Sequence, residues 1–354
     1  MTSPSPALEA LRTEANQLID QLPTMRHGKV IQEALITLVR MAEVEADRLD
    51  WKILTYAMQD MERAFRVFYP YRHTRKITIF GSARTTRDVG EYQMAVDFAR
   101  TIVNQGFMVM TGAGGGIMQA GNEGATAEQS FGLNIQLPFE QGANDYIEQD
   151  PKLIDFKYFF TRKLFFLRET DALALFPGGF GTQDEAFECL TLIQTGKSDP
   201  IPLVLIDEPG RDYWRNWDGY IRENLLTAGL VSPGDPDLYT ITTDINEACD
   251  AIANFYRVYH SSRYVGDRLV MRLKCGLTDA SLDYLNDTFS DLLIGGHILQ
   301  GAALPEEMEE EIADLPRLVM HFNRRDYGRL HQFIRTLNDM ETEMPKSKMH
   351  PEKK

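Results

Sequence analysis

Ala172-Leu173-Ala174-Leu175-Phe176-Pro177-Gly178-Gly179-Phe180-Gly181-Thr182-Gln183-Asp184-Glu185 carries the strongest structural signal in the chain. Its first five residues are apolar and uncharged, as in a buried strand. Pro177 cannot donate to a sheet ladder and stops the strand. The glycines that follow allow a tight bend, and residues 182–194 then read as a helix. The same unit recurs on either side. Ile77-Thr78-Ile79-Phe80 ends at Gly81 and is followed by a helical stretch over 92–103. Residues 107–110 run into Thr111-Gly112-Ala113-Gly114-Gly115-Gly116, ahead of a helix over 118–128. Further strands are expected over 133–137 and 203–206, and further helices over 213–226 and 245–258. Short apolar strands alternating with helices predict an α/β, Rossmann-like parallel sheet with helices on both faces. Ligands of such folds sit at the carboxyl ends of the strands, where the glycine turns fall.

The flanks lack this alternation. Over 1–72, Leu8, Leu11, Ala15, Leu18 and Ile19, then Ile31, Leu35, Leu38 and Val39, recur at helical spacing. Pro23 and Gly28 interrupt that pattern and Pro70 ends it, giving an N-terminal helical extension. Helices expected over 282–293, 306–312 and 327–337 make 261–354 a C-terminal helical extension around a central domain at 73–260.

Composition narrows the function. The 354 residues are 43% hydrophobic and 25% charged, the balance of a soluble globular protein. A formal net charge of −15 argues against nucleic acid and anionic membranes as partners, since both are polyanions. The start shows no basic and apolar leader pattern, and no run approaches the roughly 18 apolar residues of a membrane span. Cys189, Cys249 and Cys275 form no CxxC pair, which fits a reducing cytoplasm. The seven histidines form no HExxH pattern, so no metal and no cofactor are expected.

Two familiar nucleotide motifs fail on inspection. The turn at 112–116 would need glycine at 117 to be the dinucleotide fingerprint, and Ile117 stands there. Gly196-Lys197-Ser198 ends like a Walker A loop, but Thr191 occupies the position of its first glycine. What is left is glycine-rich strand-to-helix turns, which bring backbone N–H groups and a helix dipole to an anion. Thr182-x-x-Glu185 can be read as a capping box or as a phosphate turn with a carboxylate one turn further on. Arg162-Lys163 lies in the apolar stretch 159–167, where a cation pair either meets an anion or snorkels to water.

Pro177-Gly178-Gly179-x-Gly181-Thr182-x-x-Glu185, preceded by Arg162-Lys163, resembles the LOG ("Lonely guy") family. These are Rossmann-like cytokinin-activating phosphoribohydrolases and bacterial relatives often labelled lysine decarboxylases. The resemblance covers about 75–260 and includes Gly81-Ser82 and the Gly114-Gly115-Gly116 turn; the extensions at both ends depart from the short plant-type members. It implies hydrolysis of the N-glycosidic bond of a nucleoside 5′-monophosphate, AMP or an N6-modified AMP, to free base and ribose 5-phosphate. Arg162 and Glu185 match its catalytic positions. Gly178, Gly179, Phe180, Gly181, Thr182, Gln183 and Asp184 fall in the phosphate turn. Ser82, Gly114, Gly115, Gly116, Lys163, Thr191 and Glu140 are the remaining substrate-contact positions. The resemblance also implies a homodimer or larger homo-oligomer with a small-molecule nucleotide as its partner. The alternative on the same fold is a non-catalytic nucleotide or molybdenum-cofactor carrier. A pyridoxal decarboxylase has little support, because no Schiff-base lysine context is visible.

Overall fold

The computed structural model describes residues 13–342 apart from 15–16, 18–20, 22–23, 45, 136–141 and 308–311. The chain divides into two units, 1–62 and 63–354. The first contains α1 (Gly28–Glu43), and the division falls within α2 (Arg48–Phe68). A short 3-10 turn over Tyr69–Tyr71 follows α2, so Pro70 ends the helix as expected. The expected first helix, around 8–19, lies largely outside the described residues.

The second unit is built on seven parallel strands in the order β4-β3-β2-β1-β5-β6-β7. They are β1 (Lys76–Phe80), β2 (Met108–Thr111), β3 (Ser130–Ile135), β4 (Leu153–Phe156), β5 (Ala172–Leu175), β6 (Leu203–Ile206) and β7 (Tyr239–Thr242). All residues of β1, β2, β5 and β6 are buried, which is why these strands read as predominantly apolar runs. Helices α3 (Gly90–Asn104), α4 (Ile117–Ala125), α5 (Phe159–Glu169), α6 (Phe180–Gln194), α7 (Tyr213–Tyr220) and α8 (Ile245–Phe255) connect or follow them. Asp244 caps α8, its carboxylate accepting from the N–H groups of Asn246 and Glu247. The helix expected over 213–226 is α for its first part and continues as a π-helical turn over Ile221–Leu226.

The C-terminal region differs from the helical extension the sequence suggests. It contains α9 (Asp279–Thr288) and α10 (Tyr327–Asp339), but also a second, four-stranded sheet in the order β10-β11-β9-β8. Its strands are β8 (Tyr259–Val265), β9 (Arg268–Leu273), β10 (Leu299–Gly301) and β11 (Arg317–Met320), all paired antiparallel. The residues expected as a helix over 306–312 lie partly outside the described ones. The physical reason for the difference is the pattern of β8. It is buried at Tyr259, Ser262 and Val265 only, so its sequence shows neither an apolar run nor strict alternation.

One continuous core joins Ile77, Ile79 and Phe98 of the parallel layer to Met271 and Leu318 of the second sheet and to Phe333 and Ile334 of α10. His331 is fully buried there, its Nε2 3.0 Å from the Ile201 carbonyl, and burial pushes its pKa down to about 3. It is a neutral core histidine. Among the described residues, no group of His, Cys, Asp and Glu could hold a metal, and no helix is long and apolar enough to cross a membrane.

Candidate active site

The strand order sets the location. From β1 the chain moves to β2, β3 and β4 on one side; β5, β6 and β7 continue on the other. The carboxyl ends of β1 and β5 therefore flank a topological switch point, the place where ligands of open α/β sheets bind. Three turns meet there and are laced together by Ser82. Its N–H donates to the Pro177 carbonyl at 3.0 Å, and its own carbonyl accepts from Ile117 N–H at 3.0 Å. Gly116 makes this approach feasible. It sits at φ 63°, and a Cβ there would lie 2.2 Å from the Ser82 oxygen. At Gly178 a Cβ would fall 2.1 Å from Thr182 Oγ1, so the bend closes directly onto the first turn of α6. Above Gly179 and Gly181 nothing lies within 4 Å of an added Cβ. The start of α6, with its unpaired N–H groups and positive dipole end, thus faces open space, a geometry suited to an anion.

Arg162 and Glu185 converge beside these turns. The Arg162 guanidinium lies against the second turn, with Nη2 2.4 Å from where a Gly112 Cβ would be, and its centre is 5.2 Å from the Phe166 ring. Glu185 projects from α6 with its side chain 15% exposed, and its Oε2 accepts no hydrogen bond among the described residues. Burial raises its pKa to about 7; Lys163 and Arg162 oppose that rise, while Asp184 and Glu188 add to it. The acid is poised to be half ionised near neutrality. Lys163 holds its surroundings. Its Nζ is 2.6 Å from Asp184 Oδ2, 2.6 Å from Glu188 Oε2 and 3.9 Å from Glu185 Oε2. Burial works to lower the lysine pKa, but the bonds to Asp184 and Glu188 raise it on balance. Lys163 is therefore a fixed cation, unlike the low-pKa amine a Schiff base requires.

Several other expected residues are engaged by protein partners. Gln183 gives its Nε2 to the Tyr213 hydroxyl at 2.6 Å. Asp184 is mostly exposed and paired with Lys163. Thr191 is exposed on α6, about 9 Å along the axis from Glu185 at 1.5 Å per residue, and its hydroxyl donates to the Phe187 carbonyl at 2.7 Å. Phe180 is almost fully exposed. Glu140 lies outside the described residues.

Two supporting groups carry no local sequence signal. A buried polar knot fixes the 112–114 turn. Thr111 Oγ1 donates to Asn122 Oδ1 at 2.7 Å and accepts from Ala113 N–H at 3.0 Å. Asn144 Nδ2 approaches the carbonyls of Ala113 and Gly114 at 3.1 and 3.0 Å. These bonds hold Ala113 at φ 61°, in the left-handed region. On the other turn, the Tyr213 hydroxyl donates to the Gly178 carbonyl at 2.5 Å.

Known proteins resemble this part of the chain. Residues 101–252 match the family described as "Possible lysine decarboxylase". A cytokinin riboside 5′-monophosphate phosphoribohydrolase of Mycobacterium tuberculosis is 26% identical over 165 residues, 46% of this chain and 84% of that protein. Among solved structures, the molybdenum cofactor carrier protein of Chlamydomonas reinhardtii aligns at 20% identity and TM-score 0.36, covering 51% of this chain and 96% of its own. The molybdenum cofactor binding protein of Rippkaea orientalis aligns at 16% identity and TM-score 0.36, again over 51% and 96%.

Proposed function

We propose that this protein, whose residues 101–252 match the family described as "Possible lysine decarboxylase", hydrolyses the N-glycosidic bond of a nucleoside 5′-monophosphate, AMP or an N6-modified AMP. The C1′–N bond breaks, the base leaves with a proton on nitrogen, and water supplies hydroxide to C1′, giving ribose 5-phosphate. The carrying observation is the meeting of Arg162 and a largely buried Glu185 beside an open helix N-terminus. In this reading the amides of Gly179, Phe180, Gly181 and Thr182 hold the 5′-phosphate, with Ser82 and the 114–116 turn along the nucleotide. Cleavage passes through an oxocarbenium-like sugar, and the Glu185 carboxylate stabilises that cation or draws a proton from the attacking water. Arg162 stabilises negative charge on the departing base or on the phosphate.

A nucleotide or cofactor carrier on the same fold would need the phosphate turn but not a buried carboxylate next to an arginine. A second copy of the chain is part of the proposal, as in the family. Exposed Phe159, Phe160, Leu164 and Phe187 supply an apolar face on α5 and α6 for it. The test is a panel of nucleoside monophosphates, nucleosides and triphosphates assayed for free base. Release from monophosphates alone supports the reading. Tight binding of a monophosphate without release favours a carrier.

A further inference from the structure

Tyr213 opens α7 and reaches the phosphate turn from 35 residues away in the chain. Its hydroxyl donates to the Gly178 carbonyl at 2.5 Å and accepts from Gln183 Nε2, in the first turn of α6, at 2.6 Å. A trans peptide is planar, so its N–H points opposite to its C=O. Holding the Gly178 carbonyl toward Tyr213 therefore turns the Gly179 N–H away from Tyr213. The preceding peptide is fixed in the same manner. Ser82 N–H holds the Pro177 carbonyl at 3.0 Å, which turns the Gly178 N–H away from Ser82. Two successive amide donors are thus aimed by bonds made to the carbonyls of their own peptides. The Gln183 bond ties the same hydroxyl to the helix whose free N–H groups continue the row.

We infer that Tyr213 is a positioning residue whose hydroxyl aims the Gly179 amide of the phosphate turn and ties it to the first turn of α6, and so sets the preference for a 5′-phosphorylated nucleoside over the unphosphorylated one. The inference rests on the nucleotide reading above, although Tyr213 itself touches no substrate. Its ring packs edge-on against Trp214 at 4.9 Å, a contact that phenylalanine would keep. Tyr213→Phe therefore removes the hydroxyl and little else.

The experiment measures AMP and adenosine binding by calorimetry, with thermal melting, for the wild-type chain and for Tyr213→Phe. Loss of the hydroxyl's two bonds, to the part-buried Gly178 carbonyl and from Gln183, should weaken AMP about tenfold, with adenosine binding unchanged. Equal weakening of both ligands would overturn the inference, since the hydroxyl would then serve only general packing. Unchanged AMP affinity in a folded variant would overturn it as well. Failure of the hydrolytic reading looks different. Wild-type chain would bind AMP in preference to adenosine yet release no adenine, and the Tyr213 comparison would still be decided by binding. A wild-type chain that binds AMP no better than adenosine sinks both.

Discussion

Glu185→Gln keeps the shape of the side chain and removes its charge. Burial holds the native carboxyl at about 7 against a reference of 4.5. The native state therefore keeps its proton through a window in which the unfolded chain has lost it. More protons are bound in the native state there, so the contribution of Glu185 to stability falls as pH rises from about 4.5 and levels off above about 7. At 1.36 kcal/mol per pKa unit, the fall amounts to about 3 kcal/mol. With the side chain 15% exposed, solvent screening removes little of it. Glutamine does not titrate, so the variant lacks this slope. Urea unfolding of both proteins at about pH 4, 6 and 8 measures the difference. The variant should gain about 3 kcal/mol relative to wild type across that range. Base release should follow the charged form instead: kcat/KM in the wild type rises as pH rises through about 7, while the variant binds nucleotide but releases no base. A stability difference that does not change with pH, or full turnover by Glu185→Gln, would refute the placement of a buried working carboxylate at 185.

Other expectations follow from particular contacts. Arg162→Ala should lower kcat about 100-fold with the fold intact, by loss of a charge aimed at the transition state; unchanged kinetics would remove Arg162 from the site. Asn144→Ala leaves the Ala113 and Gly114 carbonyls without their side-chain donor and should cost about 1–3 kcal/mol in urea unfolding, with a raised KM for nucleotide. Glu307 is buried between Arg272 at 3.2 Å and Arg317 at 3.0 Å, so Glu307→Gln should destabilise the second sheet by about 3–5 kcal/mol. A smaller loss would mean that water reaches those arginines on substitution.

The central sheet was legible because its chemistry is local. Strands β1, β2, β5 and β6 are buried on both faces, so their apolar runs stand out between glycine turns. β4 escaped notice because Leu153-Ile154-Asp155-Phe156 is buried only at alternate residues and carries an acid. Its Asp155 is accommodated by the Asn134 amide at 2.9 Å, a partner that sequence spacing cannot foresee. The hairpin of β8 and β9 did leave a sign. Gly266-Asp267 is a two-residue turn, and Gly266 lies at φ 64°, but the polar content of β8 masked the strand before it. In the site, Arg162 and Glu185 are reached from their motif alone. Asn144 and Tyr213 act on turns 30 and 35 residues away, so only the folded chain brings them into view.

The most direct test of the account is product analysis from AMP and from adenosine with the purified chain. Free adenine and ribose 5-phosphate should appear in equal amounts from AMP, with adenosine left intact. Inorganic phosphate in place of adenine, or AMP recovered unchanged at stoichiometric enzyme, would contradict glycosidic hydrolysis at this site.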